Sequence, residues 1–183
     1  MKPKLSIVLT LVLLVLLLAG ALQNRRFLDQ INSRALELGL VAEVGAAVTQ
    51  IRDQDELLFT VSNLTKAVFD LYHAHIYLVD NSGENLVLAA GAGEVGRIMR
   101  DQKRTIALSN SKSIVARAGR ERQPIIVNRV RQTPDFLPHP LLPETESELA
   151  VPMIVGDQLI GVLDVQDNHP DRFNAQQAQV QET

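Results

Sequence analysis

The chain has no cysteine among its 183 residues. That excludes a disulfide scaffold, a thiolate metal site and a catalytic thiol. It leaves the redox compartment open, because a cysteine-free chain suits a reducing or an oxidising one. No Gly-x-Ser-x-Gly elbow or other spacing for Ser-His-Asp catalysis is present, so no catalytic residue is assigned and the expectation is a protein that is not an enzyme. No cofactor and no nucleic-acid partner is assigned. Net charge is small too, at −3.

That small net charge hides a strong polarity along the chain. Residues 97–131 hold ten Lys and Arg against two acids, Asp101 and Glu121. Residues 134–183 hold nine acids against one base, Arg172. Such asymmetry marks either an anion site or partner surface, or two stretches that meet in the fold and neutralise each other. The second is the simpler expectation, because most surface charges carry no specific role.

Residues 5–22, LSIVLTLVLLVLLLAGAL, contain no charge. As a helix rising about 1.5 Å per residue they span about 27 Å, close to a hydrocarbon core of about 30 Å. Lys2 and Lys4 flank one end, Arg25 and Arg26 the other. A cleavable signal peptide is the rival reading, with Ala19-Gly20-Ala21 as its cleavage site. The apolar run continues past that site, which favours a single-pass membrane anchor. Positive charge on both flanks leaves the orientation weakly set. The expected location is the inner membrane, with the domain in the cytoplasm.

Leu28, Ile31, Ala35, Leu38, Ala42 and Gly45 then recur at alternating steps of three and four. That heptad seam predicts a coiled-coil dimer, with Leu28, Ile31, Ala35 and Leu38 as its core. The predicted organisation is a tail over residues 1–4, a transmembrane helix over 5–22, a helical linker over 23–35 and one domain over 36–183.

Within the domain, acids at residues 53–56 open a helix whose inner face carries Leu57, Leu58, Val61, Leu64, Val68 and Leu71. Strands are predicted over residues 73–79, 86–90, 105–108 and 124–127, with a short helix over 113–122. Pro134, Pro138, Pro140 and Pro143 make residues 132–145 an irregular loop. Residues 148–155 and 159–165 form a hairpin around Gly156-Asp157-Gln158. Both faces of its first strand are apolar, so both faces of the sheet are covered. Tight hairpins imply antiparallel pairing and an α+β fold.

Two features invite a chemical reading. Gly91-Ala92-Gly93-Glu94-Val95-Gly96 is a literal G-x-G-x-x-G after a strand, the pattern of dinucleotide binding. It lacks a βαβ context and a following acidic residue, and residues 97–104 show no sustained apolar stripe. A nucleotide-dependent enzyme using this loop is kept as the alternative function. His73 and His75 share one strand face, at the sheet margin or lining a pocket. No third ligand is evident, so no metal is assigned.

The stretches AEVGAAVTQIRDQDELL, FDLYHAHIYLVDNSGENLVLAAGAGEVGRIM, PIIVNRV, DFLPHPLLPETESELAVPMIVGDQLIGVLDVQ and DRFNAQQAQVQ, in this order, resemble the GAF domains of bacterial membrane-bound signalling proteins. The resemblance implies a six-stranded antiparallel sheet with helices on one face and a pocket under short helices and loops on the other. It implies a homodimer formed through the first and last helices. It also implies a regulatory role, with or without a small ligand, and an output domain that is separate or missing. Sulfoxide reductases of this type use catalytic cysteines and typical bilin-binding members a cysteine anchor, and this chain has neither. The Asn-Lys-Phe-Asp-Glu signature linked to cyclic nucleotides is not apparent. Where the proline loop meets the sheet, the candidate ligand contacts are Arg129, Arg131, His139, Glu144, Thr145 and Ser147. The basic run favours an anionic ligand or anionic headgroups there.

Overall fold

A computed structural model describes residues 54–173. The heptad seam, the linker, the apolar run over residues 5–22 and the predicted last helix lie outside them.

The first helix, α1, is Gln54–Val68, with Asp55 and Glu56 in its first turn, where the helix dipole favours negative charge. Strands β1, His73–Val79, and β2, Asn85–Gly91, follow as an antiparallel pair. The turn between them is built on Asp80. Its carboxylate accepts from the Asn85 side chain at 2.8 Å, from the Ser82 hydroxyl at 2.7 Å and from the Glu84 and Asn85 backbone. Those bonds, the Asn85 side chain foremost, hold the Asp80 pKa down at about 2.

Helix α2, Gly93–Asp101, comes next, then the short strand β3, Thr105–Ala107. Helix α3, Ile114–Glu121, is capped by the Ser113 hydroxyl, which accepts from the Ala116 backbone N–H. Strand β4, Ile125–Val127, leads through a 3-10 turn, Val130–Gln132, into the proline loop. The hairpin of β5, Ser147–Val155, and β6, Gln158–Asp167, turns on Gly156 at φ +59°.

The six strands form one antiparallel sheet in the order β3-β2-β1-β6-β5-β4. Strand alternation divides the core in two. Ala74, Ile76, Leu149, Val151, Leu163 and Val165 pack with Leu57, Leu58 and Val61 of α1 on one face. Tyr77, Leu88, Ala150 and Val162 pack on the other with Met99 of α2, residues of α3, Val130 of the 3-10 turn and Leu142 of the proline loop. This is the expected α+β architecture, with a helical face and a face under short helices and a loop.

The opposed charge runs also meet as expected. Arg117 pairs with Asp135 at 2.8 Å, Arg129 with Asp171 at 2.6 Å and Arg131 with Glu146 at 2.8 Å.

Two expectations are corrected. Residues 97–104 show no sustained apolar stripe, yet residues 97–101 belong to the helix Gly93–Asp101. Its inward side holds Gly96 and Met99, flanked by Val95, so one of its core positions is a glycine, which a hydrophobic pattern does not register. The inner-membrane location is corrected as well: among the described residues no helix is long and apolar enough to cross a membrane.

Candidate functional site

Alternation in β1 puts His73, His75 and Tyr77 on the loop-covered face. The register then fixes their neighbours. His73 lies opposite Gln166 and His75 opposite Asp164. Across β6, Gln166 lies opposite Glu148 and Asp164 opposite Ala150. Polar side chains thus gather at one end of an otherwise apolar face. His73, His75, Glu148 and Asp164 are 2%, 1%, 4% and 1% exposed. Carboxylates are seldom buried to this depth unless paired.

The cluster is hydrogen-bonded from below and above. His75 Nδ1 lies 3.2 Å from Asp164 Oδ2. Gln166 Nε2 donates to the same oxygen at 2.8 Å, and the Thr145 hydroxyl donates to Gln166 Oε1 at 2.8 Å. That second bond ties the end of the proline loop to the sheet. The His73 and His75 rings are 4.3 Å apart between centroids, and His75 and Tyr77 are 5.7 Å apart. Arg104, between α2 and β3, donates from Nε to the Tyr77 hydroxyl at 3.3 Å.

Three atoms of the cluster are buried without a hydrogen-bond partner in the protein: His73 Nε2, His75 Nε2 and Asp164 Oδ1. A buried polar atom left so costs about 1–3 kcal/mol. Native structures keep few of them.

The electrostatics suppress charge. Burial, then the charges of His75 and Lys66, push the His73 pKa down to about 2, so its ring is neutral. Burial, then the negative charge of Asp164 and a hydrogen bond with it, push Glu148 well above the ordinary carboxylate range, against the pull of Arg104. Burial and the Asp164 charge raise the Tyr77 hydroxyl, with Arg104 opposing. Burial, Arg104 and His75 lower His139 in the loop above.

The six candidate contacts are only partly brought together. Thr145 joins the cluster directly, and His139 lies close enough to feel His75 and Arg104. Arg129 is exposed and held by Asp171; Arg131 is exposed and held by Glu146 and the Pro143 carbonyl. Glu144 is exposed. Ser147 is buried on the opposite strand face, donating to the His169 carbonyl at 2.8 Å. Glu148, Asp164, Gln166, Tyr77 and Arg104 were not among the candidates. The signal for the first four is a set of polar residues inside strands that are otherwise apolar on both faces.

The glycine motif serves packing. A Cβ on Gly96 would overlap the backbone of Gly91, and one on Gly91 would come within 2.7 Å of Gly96 Cα and 2.8 Å of His75 Cδ2. The Gly93 N–H is taken by Asn63 Oδ1 at 2.9 Å. Gly91 and Gly96 let α2 lie directly on β2, in a sheet that is antiparallel throughout. The nucleotide-loop alternative has no support in this geometry. Among the described residues no group of three or more His, Cys, Asp or Glu is arranged to hold a metal ion.

A family model described as GAF domain matches residues 25–183. No curated protein sequence matches. Among solved structures, the chain is similar to a free methionine-R-sulfoxide reductase from Neisseria meningitidis in complex with its substrate. The identity is 23% and the TM-score 0.62, over 75% of this chain and 76% of that one. It is similar to the GAF domain of an Acinetobacter phosphoenolpyruvate-protein phosphotransferase, at 20% identity and TM-score 0.61, over 75% and 80% of the two chains. It is also similar to residues 122 to 287 of a methyl-accepting chemotaxis protein, at 20% identity and TM-score 0.59, over 72% and 84%. At these identities the likeness is one of fold. It corrects the expectation that the protein is not an enzyme, because this fold houses a reductase as well as signalling domains.

Proposed function

The chain belongs to the GAF-domain family, and from that premise we propose that it is a sensory module whose input is a small ligand held at the polar end of the loop-covered sheet face. GAF domains are typical of sensory and regulatory signalling proteins. The observation that carries the ligand reading is the group of three buried, unpartnered atoms, His73 Nε2, His75 Nε2 and Asp164 Oδ1. A ligand with complementary groups would satisfy them and recover the free energy their burial costs.

The output is proposed to pass through a homodimer. The seam of Leu28, Ile31, Ala35 and Leu38 supports it by spacing alone. Ligand binding under the proline loop would shift the helix pair that this seam joins, and an output domain or separate partner would read the shift.

A thermal-melt screen of the full-length chain against a library of small metabolites tests the input. A ligand at a hundredfold its Kd stabilises by about 2.7 kcal/mol. At least one compound is expected to raise the melting temperature of the wild type and not that of Asp164→Asn. Compounds that shift both proteins alike, or none that shift the wild type, would refute the reading.

A further inference from the structure

We propose that Gln166 and Asp167, the last two residues of β6, form a mechanical joint that passes a change in the polar cluster to the segment 168–173, by which the chain leaves the sheet. The proposal rests on the sensory reading for its purpose and names a route of transmission for it. Its test needs no ligand.

Alternation makes the joint two-sided. Consecutive strand residues point to opposite faces, so Gln166 turns into the cluster and Asp167 turns away from it. Gln166 is held twice on its side. The Thr145 hydroxyl donates to Oε1, and Nε2 donates to Asp164 Oδ2, both at 2.8 Å. Asp167 is a carboxylate only 1% exposed. Its Oδ1 accepts from the His169 backbone N–H at 2.9 Å, and its Oδ2 accepts from Arg172 Nε at 3.4 Å. The peptide plane between the two residues is stiff. A rotation that draws Gln166 out of the cluster therefore turns Asp167 and strains its bonds to His169 and Arg172 together.

The segment that receives the motion is held from four sides. Residues 168–173 form neither helix nor strand. Irregular segments ordinarily lie at the low end of local stability, yet here each neighbouring element contributes a bond. Arg172 Nη2 donates to the Phe69 carbonyl, one residue past α1, at 2.8 Å. The Ser147 hydroxyl of β5 donates to the His169 carbonyl at 2.8 Å. Asn128, one residue past β4, takes both backbone groups of Phe173 with a single carboxamide. Its Oδ1 accepts from the Phe173 N–H at 3.0 Å, and its Nδ2 donates to the Phe173 carbonyl at 2.6 Å. The Asn128 carbonyl also accepts from the Asp171 N–H at 3.0 Å. The Phe173 ring is buried in the core shared with α1. Through Asp167 and Arg172, the end of β6 is thus tied to the end of α1 and to the point where the chain departs.

Amide hydrogen exchange on the full-length chain reads the joint directly, because His169, Asp171 and Phe173 each offer an N–H with a known acceptor. Gln166→Leu removes both cluster bonds and leaves Asp167, Arg172 and Asn128 in place. It is expected to speed exchange over residues 168–173 by about tenfold, a coupling of ordinary size between two sites. Arg172→Gln should do the same from the other side. The double variant should exceed the larger single effect by no more than about twofold, since both changes break one connection. Ile106→Ala, in β3 at the opposite edge of the sheet, is the control and should leave this segment at its wild-type rate. Circular dichroism shows whether each variant folds. If Gln166→Leu does not, Thr145→Val removes one of its two bonds and should act in the same direction. Unchanged exchange over residues 168–173 in the Gln166 or Thr145 variant overturns the proposal. So do fully additive effects in the double variant, or equal acceleration in the Ile106 control. A joint that responds in this way while the metabolite screen finds no hit survives the loss of the ligand reading. Hits in the screen with an unresponsive segment leave the ligand reading and remove the joint.

Discussion

Glu148 and His73 flank Gln166 from either side of β6, and burial disfavours the charged form of both. Their effects on stability run in opposite directions. The His73 pKa is lowered from 6.5 to about 2, so the unfolded chain binds a proton there that the folded chain refuses. Its contribution is complete above pH 6.5 and is lost as the pH falls below it. The Glu148 pKa is raised above 4.5, so the folded chain keeps a proton that the unfolded chain releases. Its contribution is complete below pH 4.5 and is lost as the pH rises toward the folded value. Above pH 4.5 and below pH 6.5 the two slopes therefore oppose each other. Glu148→Gln should abolish that decline while leaving the acid limb intact. Urea unfolding across a pH series reads both limbs, and parallel curves for the two proteins would refute the assignment. Single residues of this kind were the least legible part of the sequence. His73 and His75 stood out by spacing. Glu148, Asp164 and Gln166 did not, because their meeting depends on the β1–β6–β5 register.

The elements were read more fully than their packing. Helix α1, both hairpins, α3 and the proline loop follow from periodicity and turn residues. Helix α2 did not, because Gly96 takes a core-facing position and the rest of its surface is charged. Its glycines give a sharp test. Gly96→Ala forces a Cβ into the Gly91 backbone and is expected to cost about 1–3 kcal/mol, as overpacking does. Gly93 has φ +63° with open space around it. Asparagine tolerates that conformation, so Gly93→Asn should stay within about 0.5 kcal/mol of the wild type. Chemical denaturation of both variants decides the matter. Equal losses would mean that close helix–strand approach is not what residue 96 provides.

For the whole molecule, the antiparallel fold and the mutual neutralisation of the two charged stretches were legible from turn chemistry and charge order. The location of the polar site was legible only coarsely. Of the candidate contacts at the proline loop, Thr145 reaches the polar cluster, while Arg129 and Arg131 turn outward to ion pairs worth about 0–1 kcal/mol each. The proposed dimer belongs to this scale. The full-length chain should sediment as a dimer, and Ile31→Asp combined with Leu38→Asp should shift it toward monomer. A wild-type monomer at all concentrations would remove the proposed route of output.

Native mass spectrometry of the full-length chain, purified gently from its source, bears most directly on the idea that this domain captures a small molecule over β1, β5 and β6. The account predicts a discrete small-molecule adduct on the wild type that is absent from Asp164→Asn. Bare mass on the wild type, or the same adduct on both proteins, would contradict it.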